Sequence, residues 1–244
     1  MVLAIDAGNT RIKAAVYEQH TLVSKYVFDK LTIDENFKKI LNDHQNIKTI
    51  IISSVSNINL DTLSNIFEGY KIDFITHNSH FPFTNLYTTP ETLGIDRMVL
   101  AGGATLKFKN TNRLVIDAGT CVTFDYIDAN DNYLGGAISP GIRLRYQSLN
   151  NYTAKLPLLD TKYPDSIVGN STAESMHSGV VNGLLFEIDG IINQFKSEKT
   201  NFIIILTGGD ADFLAVRLKN PIFANSNFLL DSLNLLHIYN SNND

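Results

Sequence analysis

Ile5-Asp6-Ala7-Gly8-Asn9-Thr10 ends one apolar run and precedes another, and Ile116-Asp117-Ala118-Gly119-Thr120 repeats the arrangement in the second half of the chain. An Asp at a strand end, followed by a glycine turn and a hydroxyl, offers a carboxylate to a metal ion and lets backbone come close to a phosphate. Either copy alone reads equally well as a tight hairpin with Asp and Gly in their usual turn roles. Two copies at equivalent places point to an internal duplication. The expectation is a domain used twice, with one phosphate-handling hairpin from each half facing across a cleft.

The elements around the two copies agree with that plan. Val2 to Asp6, Arg11 to Glu18 and Leu22 to Asp29 read as three strands joined by tight turns. Ile33 to His44 has the apolar spacing of a helix, with Ile33, Phe37, Ile40 and Leu41 on one face. Ile47 to Val55 is a continuous β-branched run suited to a sheet covered on both faces. A helix from Ile58 to Phe67, a strand from Ile72 to Ile75 and a helix from Ile95 to Phe108 follow, so the first half is βββαβαβα. The second half repeats it with strands Arg113 to Asp117, Val122 to Ile127 and Tyr133 to Ile138 and a helix from Gly141 to Leu149. After a long polar excursion come a helix from Thr172 to Phe195, a strand from Phe202 to Leu206, a helix from Asp210 to Leu218, a minor strand from Ile222 to Ala224 and a closing helix from Leu229 to Tyr239. The boundary falls in the Lys107 to Asn112 turn, giving an α/β chain of two domains, 1–110 and 111–244.

Composition narrows the function classes. The 244 residues are 44% apolar and 18% charged, enough for a large core and two modest domains. A net charge of -5 offers no general attraction to nucleic acid or to an anionic membrane. The longest apolar runs are strand-sized, and the N-terminus enters a strand without a signal-peptide pattern, so the expected compartment is the cytoplasm. The single cysteine, Cys121, excludes a disulfide framework and a Cys-rich zinc site, and reads as a small packed residue beside the second turn. The six histidines are scattered without metal-ligand spacing.

Strand triplets, each followed by alternating helix and strand and each opened by Asp-x-Gly, resemble the actin, sugar-kinase and heat-shock ATPase superfamily. The likeness is closer in Asp6-Ala7-Gly8-Asn9-Thr10-Arg11-Ile12-Lys13 and in Tyr87-Thr88-Thr89-Pro90-Glu91-Thr92-Leu93-Gly94-Ile95-Asp96-Arg97. Further matches are Asp117-Ala118-Gly119-Thr120, Gly135-Gly136-Ala137-Ile138-Ser139-Pro140-Gly141, Thr153-Ala154-Lys155-Leu156-Pro157, Gly169-Asn170-Ser171-Thr172 and Thr207-Gly208-Gly209. The chain resembles the type III pantothenate kinases over nearly its whole length. Its departures are mild: Cys121 stands where the family pattern has Ala, and the chain is rather short.

The resemblance implies a duplicated actin-like ATPase fold and ATP-dependent phosphorylation of the primary hydroxyl of pantothenate to 4'-phosphopantothenate, the first step towards coenzyme A. Phosphoryl transfer asks for positioning, charge neutralisation and a group that accepts the attacking hydroxyl's proton. The implied ATP contacts are Asp6, Ala7, Gly8, Asn9, Thr10, Arg11, Ile12, Lys13 and Thr120, with Asp6 holding Mg2+ through water and Lys13 adding a point charge. Asp117 belongs to an implied monovalent cation site for K+ or NH4+. Asp96 is the implied general base; read alone it is a carboxylate favoured by a helix N-terminus. Tyr87, Gly94, Ile95, Arg97 and Thr172 are the implied pantothenate contacts. Arg143 and Arg145 read as an exposed helix face, and Thr207-Gly208-Gly209 reads equally as an adenosine contact and as a plain strand-to-helix connection. A homodimer whose interface borders the pantothenate pocket is also implied. The rival readings are an ATP-binding regulatory protein of the same fold, a kinase for a sugar-like alcohol and a phosphatase acting on polyphosphate.

Overall fold

The β-branched runs and the helix faces between them fold as the sequence spacing dictates. The computed structural model describes residues 1–8, 11–53 and 60–242. In chain order the elements are β1 (Val2–Ala7), β2 (Ile12–Glu18), β3 (Thr21–Phe28), α1 (Ile33–Asp43), β4 (Thr49–Ser53), α2 (Leu60–Ile66), β5 (Lys71–Phe74), the short β6 (Thr84–Asn85) and α3 (Ile95–Lys107). There follow β7 (Asn112–Ala118), β8 (Cys121–Ile127), β9 (Asn132–Pro140), α4 (Ile142–Asn151), α5 (Thr172–His177), α6 (Gly183–Glu198), β10 (Phe202–Thr207), α7 (Ala211–Ala215), β11 (Phe223–Ala224) and α8 (Phe228–Ser241). The ends of the run read as Ile47 to Val55, and the start of the helix read from Ile58, fall on positions 54, 55, 58 and 59, outside the described residues.

The chain forms two compact units, Met1–Lys107 with Asn227–Asp244, and Phe108–Ser226. In the first, the strands are ordered β3-β2-β1-β4-β5, with β1 antiparallel to β2 and parallel to β4. Because β1 is central, its residues from Leu3 to Ala7 are all buried, which is why it reads as an unbroken apolar run. One face packs Leu3, Ile5, Ile50 and Ile52 against Phe37 and Ile40 of α1 and Leu63 of α2. Asp34 and Glu35 lie in the first turn of α1, where the helix dipole favours carboxylates.

Helix α8 packs on β1, β4 and α3, so the closing segment joins the first unit. Sequence order alone put residues 227–244 with the second half. The physical reason for the difference is on α8 itself: Leu229, Leu230, Leu233 and Leu236 are buried, and two polar groups tie it to the β2–β3 hairpin. The Tyr17 hydroxyl donates to Asp231 at 2.5 Å and the Asn234 amide donates to the Gln19 carbonyl at 2.7 Å. Burial, followed by that bond to a carboxylate, pushes the Tyr17 hydroxyl well above its ordinary pKa.

The second unit repeats the plan in the order β9-β8-β7-β10-β11, the same sequence of antiparallel and parallel neighbours. Leu114, Ile116, Val122 and Phe124 pack against α4, α6 and α7. The helix read as continuous from Thr172 is interrupted: Ser178–Asn182 is π-helical between α5 and α6. Among the described residues, no helix is long and apolar enough to cross a membrane.

Candidate functional site

The two hairpins occupy equivalent register positions. Asp6, at the end of β1, lies opposite Lys13 on β2 and beside Ser53 on β4. Asp117, at the end of β7, lies opposite Thr123 on β8 and beside Thr207 on β10. Each carboxylate therefore projects from the third-strand junction of its sheet, where two parallel strands end and the antiparallel hairpin turns back. Asp6 is buried, and Asp117 is half-buried.

In the first hairpin Ala7 and Ile12 point into the core, so only their backbone can meet a ligand. Gly8 is described; Asn9 and Thr10 lie outside the described residues. Arg11 is exposed, with its guanidinium 3.9 Å from Asp29. In the second hairpin the Gly119 N–H donates to the Cys121 carbonyl at 2.9 Å, which leaves Thr120 exposed at the tip. Cys121 is exposed too and not packed as its size suggested, because β8 starts at the open end of the turn.

Gly208 is the neighbour that sequence reasoning left undecided. Its backbone has φ +98, and an added Cβ would lie 2.4 Å from Asp117 Oδ1 and 2.3 Å from the Ala118 carbonyl oxygen. Only glycine lets the β10–α7 turn pass this close to the carboxylate. The Asp210 N–H, donating to the Ala118 carbonyl at 2.9 Å, fixes the same approach. The signal for it in sequence was the glycine pair at the end of a buried strand.

The segment from Tyr87 to Arg97 gathers most of the expected substrate contacts in one place. Pro90–Thr92 forms a single 3-10 turn, locked by the Thr92 hydroxyl donating to Thr89. His77 Nε2 meets the Leu93 carbonyl at 2.8 Å and holds the entry to α3. At the start of that helix Asp96 Oδ1 accepts a hydrogen bond from the Arg97 backbone N–H at 2.9 Å. A Cβ at residue 94 would stand 2.4 Å from this oxygen, so Gly94 makes room for the carboxylate. Arg97 is buried, with its guanidinium 5.9 Å from the centre of the Tyr87 ring, within range of a cation–π contact.

Thr172 lies elsewhere in sequence and opens α5. Ser171 caps that helix by accepting a hydrogen bond from the Glu174 N–H at 3.2 Å. Thr172 lines a cavity of about 800 Å³ with Leu149, Leu156, Asn170, Ser175 and Met176. Its volume and its mix of apolar wall and hydroxyl or amide groups suit a small polar organic molecule. Arg145 is engaged in its own unit, donating to Ser139 Oγ at 2.8 Å and pairing with Glu187, and Arg143 is exposed. Among the described residues, no three of His, Cys, Asp and Glu converge on a metal-sized site.

Comparison with known proteins gives a consistent result. The family model for type III pantothenate kinase matches residues 2–194. A type III pantothenate kinase of Flavobacterium johnsoniae is 56% identical over 244 residues, covering 100% of both chains. One from Christiangramia forsetii is 42% identical over 98% of this chain and 99% of its own. Among solved structures, a Campylobacter jejuni protein provisionally assigned to the Baf family of transcriptional activators aligns with a TM-score of 0.63 at 22% identity, covering 98% of this chain and 99% of that one. A Listeria monocytogenes protein provisionally assigned as an N-acetylmannosamine kinase aligns at 0.53 with 14% identity, covering 98% of this chain and 99% of that one. These two likenesses bear on the fold, which is the duplicated actin-like one.

Proposed function

This chain belongs to the type III pantothenate kinase family, and from that premise we propose the parts its residues play in phosphorylating pantothenate with ATP. The reaction yields 4'-phosphopantothenate, the first step of coenzyme A biosynthesis. The primary hydroxyl oxygen of pantothenate forms a bond to the γ-phosphorus, the bond from that phosphorus to the bridging oxygen breaks, and ADP leaves. Asp96 takes the hydroxyl proton. The observation that supports this role is the Gly94–Asp96–Arg97 arrangement: one carboxylate oxygen is held by a backbone N–H, in space that residue 94 leaves open. A fixed base near its target is what general-base catalysis requires.

Arg97 and Tyr87 hold the anionic and polar parts of pantothenate, Gly94 and Ile95 present backbone to it, and Thr172 contributes from the cavity at the start of α5. The phosphates of ATP are cradled by Gly8, Asn9 and Thr10 with backbone from Ala7, Arg11 and Ile12, by the charge of Lys13, and by Thr120. Mg2+ arrives with ATP. An ion that keeps several waters and takes one carboxylate plus phosphate oxygens fits Asp6, a buried carboxylate at a strand end. It would neutralise charge on the phosphates. Asp117, with the close Gly208 backbone, is assigned to a monovalent cation, K+ or NH4+.

The proposal extends to a homodimer acting in the cytoplasm. Two large apolar side chains of the second unit, Ile138 and Phe186, stand 65% and 51% exposed and are available to a second copy. Incubating the purified protein with ATP and magnesium and comparing pantothenate, sugars and polyphosphate as partners tests the reaction. Transfer to pantothenate alone is expected. ATP binding without transfer to any of them would overturn it, and a monomer by light scattering with full turnover would remove the dimer.

A further inference from the structure

The hydroxyl of Tyr146 and Nδ1 of His177 lie 2.7 Å apart, with the two residues 1% and 7% exposed. Neither has a part in the chemistry described above. A buried tyrosine–histidine bond is expensive to leave half-made, because the abandoned partner keeps its desolvation cost. What it joins gives it meaning. Tyr146 sits on α4, whose first turn is pinned to the second hairpin by the Gly141 N–H donating to the Thr120 carbonyl at 3.0 Å. His177 is the last residue of α5, the helix that begins with Thr172 and places Ser175 and Met176 on the cavity wall.

Immediately after His177 the helix becomes π-helical over Ser178–Asn182. Such stretches are rare and cluster at functional positions, since each inserts a residue that re-aims the turns on either side. Something must fix where the re-aimed α5 points. Ser178 Oγ donates to the Ile167 carbonyl at 2.6 Å, and Lys162 pairs with Glu174 at 3.0 Å at the exposed rim. The Tyr146 hydroxyl, through its bond to His177, thus joins α4 to the end of α5.

We infer that Tyr146 and His177 form a positioning pair that holds the first turn of α5, and Thr172 with it, in register for pantothenate. The inference rests on the assignment of the Thr172 cavity to that substrate. The contacts made by the second hairpin to ATP are held by backbone bonds, Gly119 to Cys121 and Gly141 to Thr120. They do not depend on the phenol. The pair therefore affects one substrate and leaves the other unmoved.

Steady-state kinetics on Tyr146→Phe, His177→Ala and His177→Asn, with Thr172→Ala alongside, test this. Tyr146→Phe and His177→Ala should raise KM for pantothenate about tenfold, with kcat within about threefold and KM for ATP within about twofold of wild type. His177→Asn keeps a polar group where Nδ1 stood and should recover most of the loss. A merely structural pair predicts a lower melting temperature and less active protein with KM for pantothenate unchanged, and that result overturns the inference. If Tyr146→Phe does not fold, the contrast between His177→Ala and His177→Asn decides the matter alone. Thr172→Ala separates the two levels: a raised KM there with an unchanged KM in the pair variants sinks the positioning role only, whereas an unchanged KM in Thr172→Ala removes the cavity assignment and the inference with it.

Discussion

Asp96 Oδ1 accepts the backbone N–H of Arg97 at 2.9 Å, one residue along the first turn of α3. A carboxylate that bonds its own helix start is fixed in direction, and its charge is favoured by the dipole of α3. The second oxygen is then the one the proposal gives to the substrate. The same contact could serve stability alone, and the two roles separate cleanly in one mutant.

Asp96→Asn keeps the shape and the oxygen that accepts from Arg97 but loses basicity. Its kcat should fall roughly 100- to 10,000-fold, the range for removing a general base, with KM for ATP little changed. Turnover and melting temperature are measured on the same preparation. A folded mutant within about threefold of wild-type turnover would rule out the proton-accepting role.

Gly208 and Gly209 should respond differently to the same change. Alanine at 208 must adopt φ +98 and place its Cβ 2.4 Å from Asp117 Oδ1, whereas alanine at 209 meets nothing within 4 Å. Gly208→Ala should lose about 1–3 kcal/mol of stability by thermal or chemical denaturation and Gly209→Ala much less. Equal losses at both positions would show that the close approach to Asp117 is not what Gly208 provides.

If Asp117 serves a monovalent cation, turnover depends on potassium or ammonium in addition to magnesium. Replacing potassium by sodium at constant ionic strength should depress the rate, and Asp117→Asn should flatten that difference. Equal rates in the two salts would sink the assignment.

His237 on α8 lies 3.3 Å from Asp73 on β5. Burial holds its pKa below the ordinary value, outweighing the pull of Asp73, and the charge of Lys71 pushes the same way as burial. Between the folded pKa and about 6.5 the unfolded chain binds more protons, so stability falls as pH drops through that window. Urea denaturation across mildly acidic pH should show a shallower decline in His237→Gln than in wild type. Matching slopes would mean that Asp73 compensates the burial in full.

The duplication was legible because it is written twice in local chemistry. Asp6 and Asp117 each end a β-branched run before a glycine turn, and the strand order of both units follows from those runs and the helices between them. The placement of α8 was not legible, since the apolar face of Leu229 to Leu236 says that it is covered but not by which sheet. The π-helical stretch at Ser178–Asn182 was invisible for a related reason: one inserted residue slips the apolar spacing by less than the breadth of a buried face. At the site, the Tyr87 to Arg97 cluster could be named from its motif, while the nearness of Gly208 to Asp117 needed the parallel pairing of β10 with β7. Tyr146 and His177, far apart in sequence and of unremarkable type, gave no sequence signal at all.

Because α8 closes over β1 and β4, the first body is finished by a helix that follows the whole of the second in the chain. The chain must emit the whole of its other body before Leu233 and Leu236 can cover the first sheet. A message truncated after Ser226 would thus yield an intact later body attached to an open earlier one, with the strand carrying Asp6 stripped of a covering helix. The sheet made first is thus roofed only after the second body has been made.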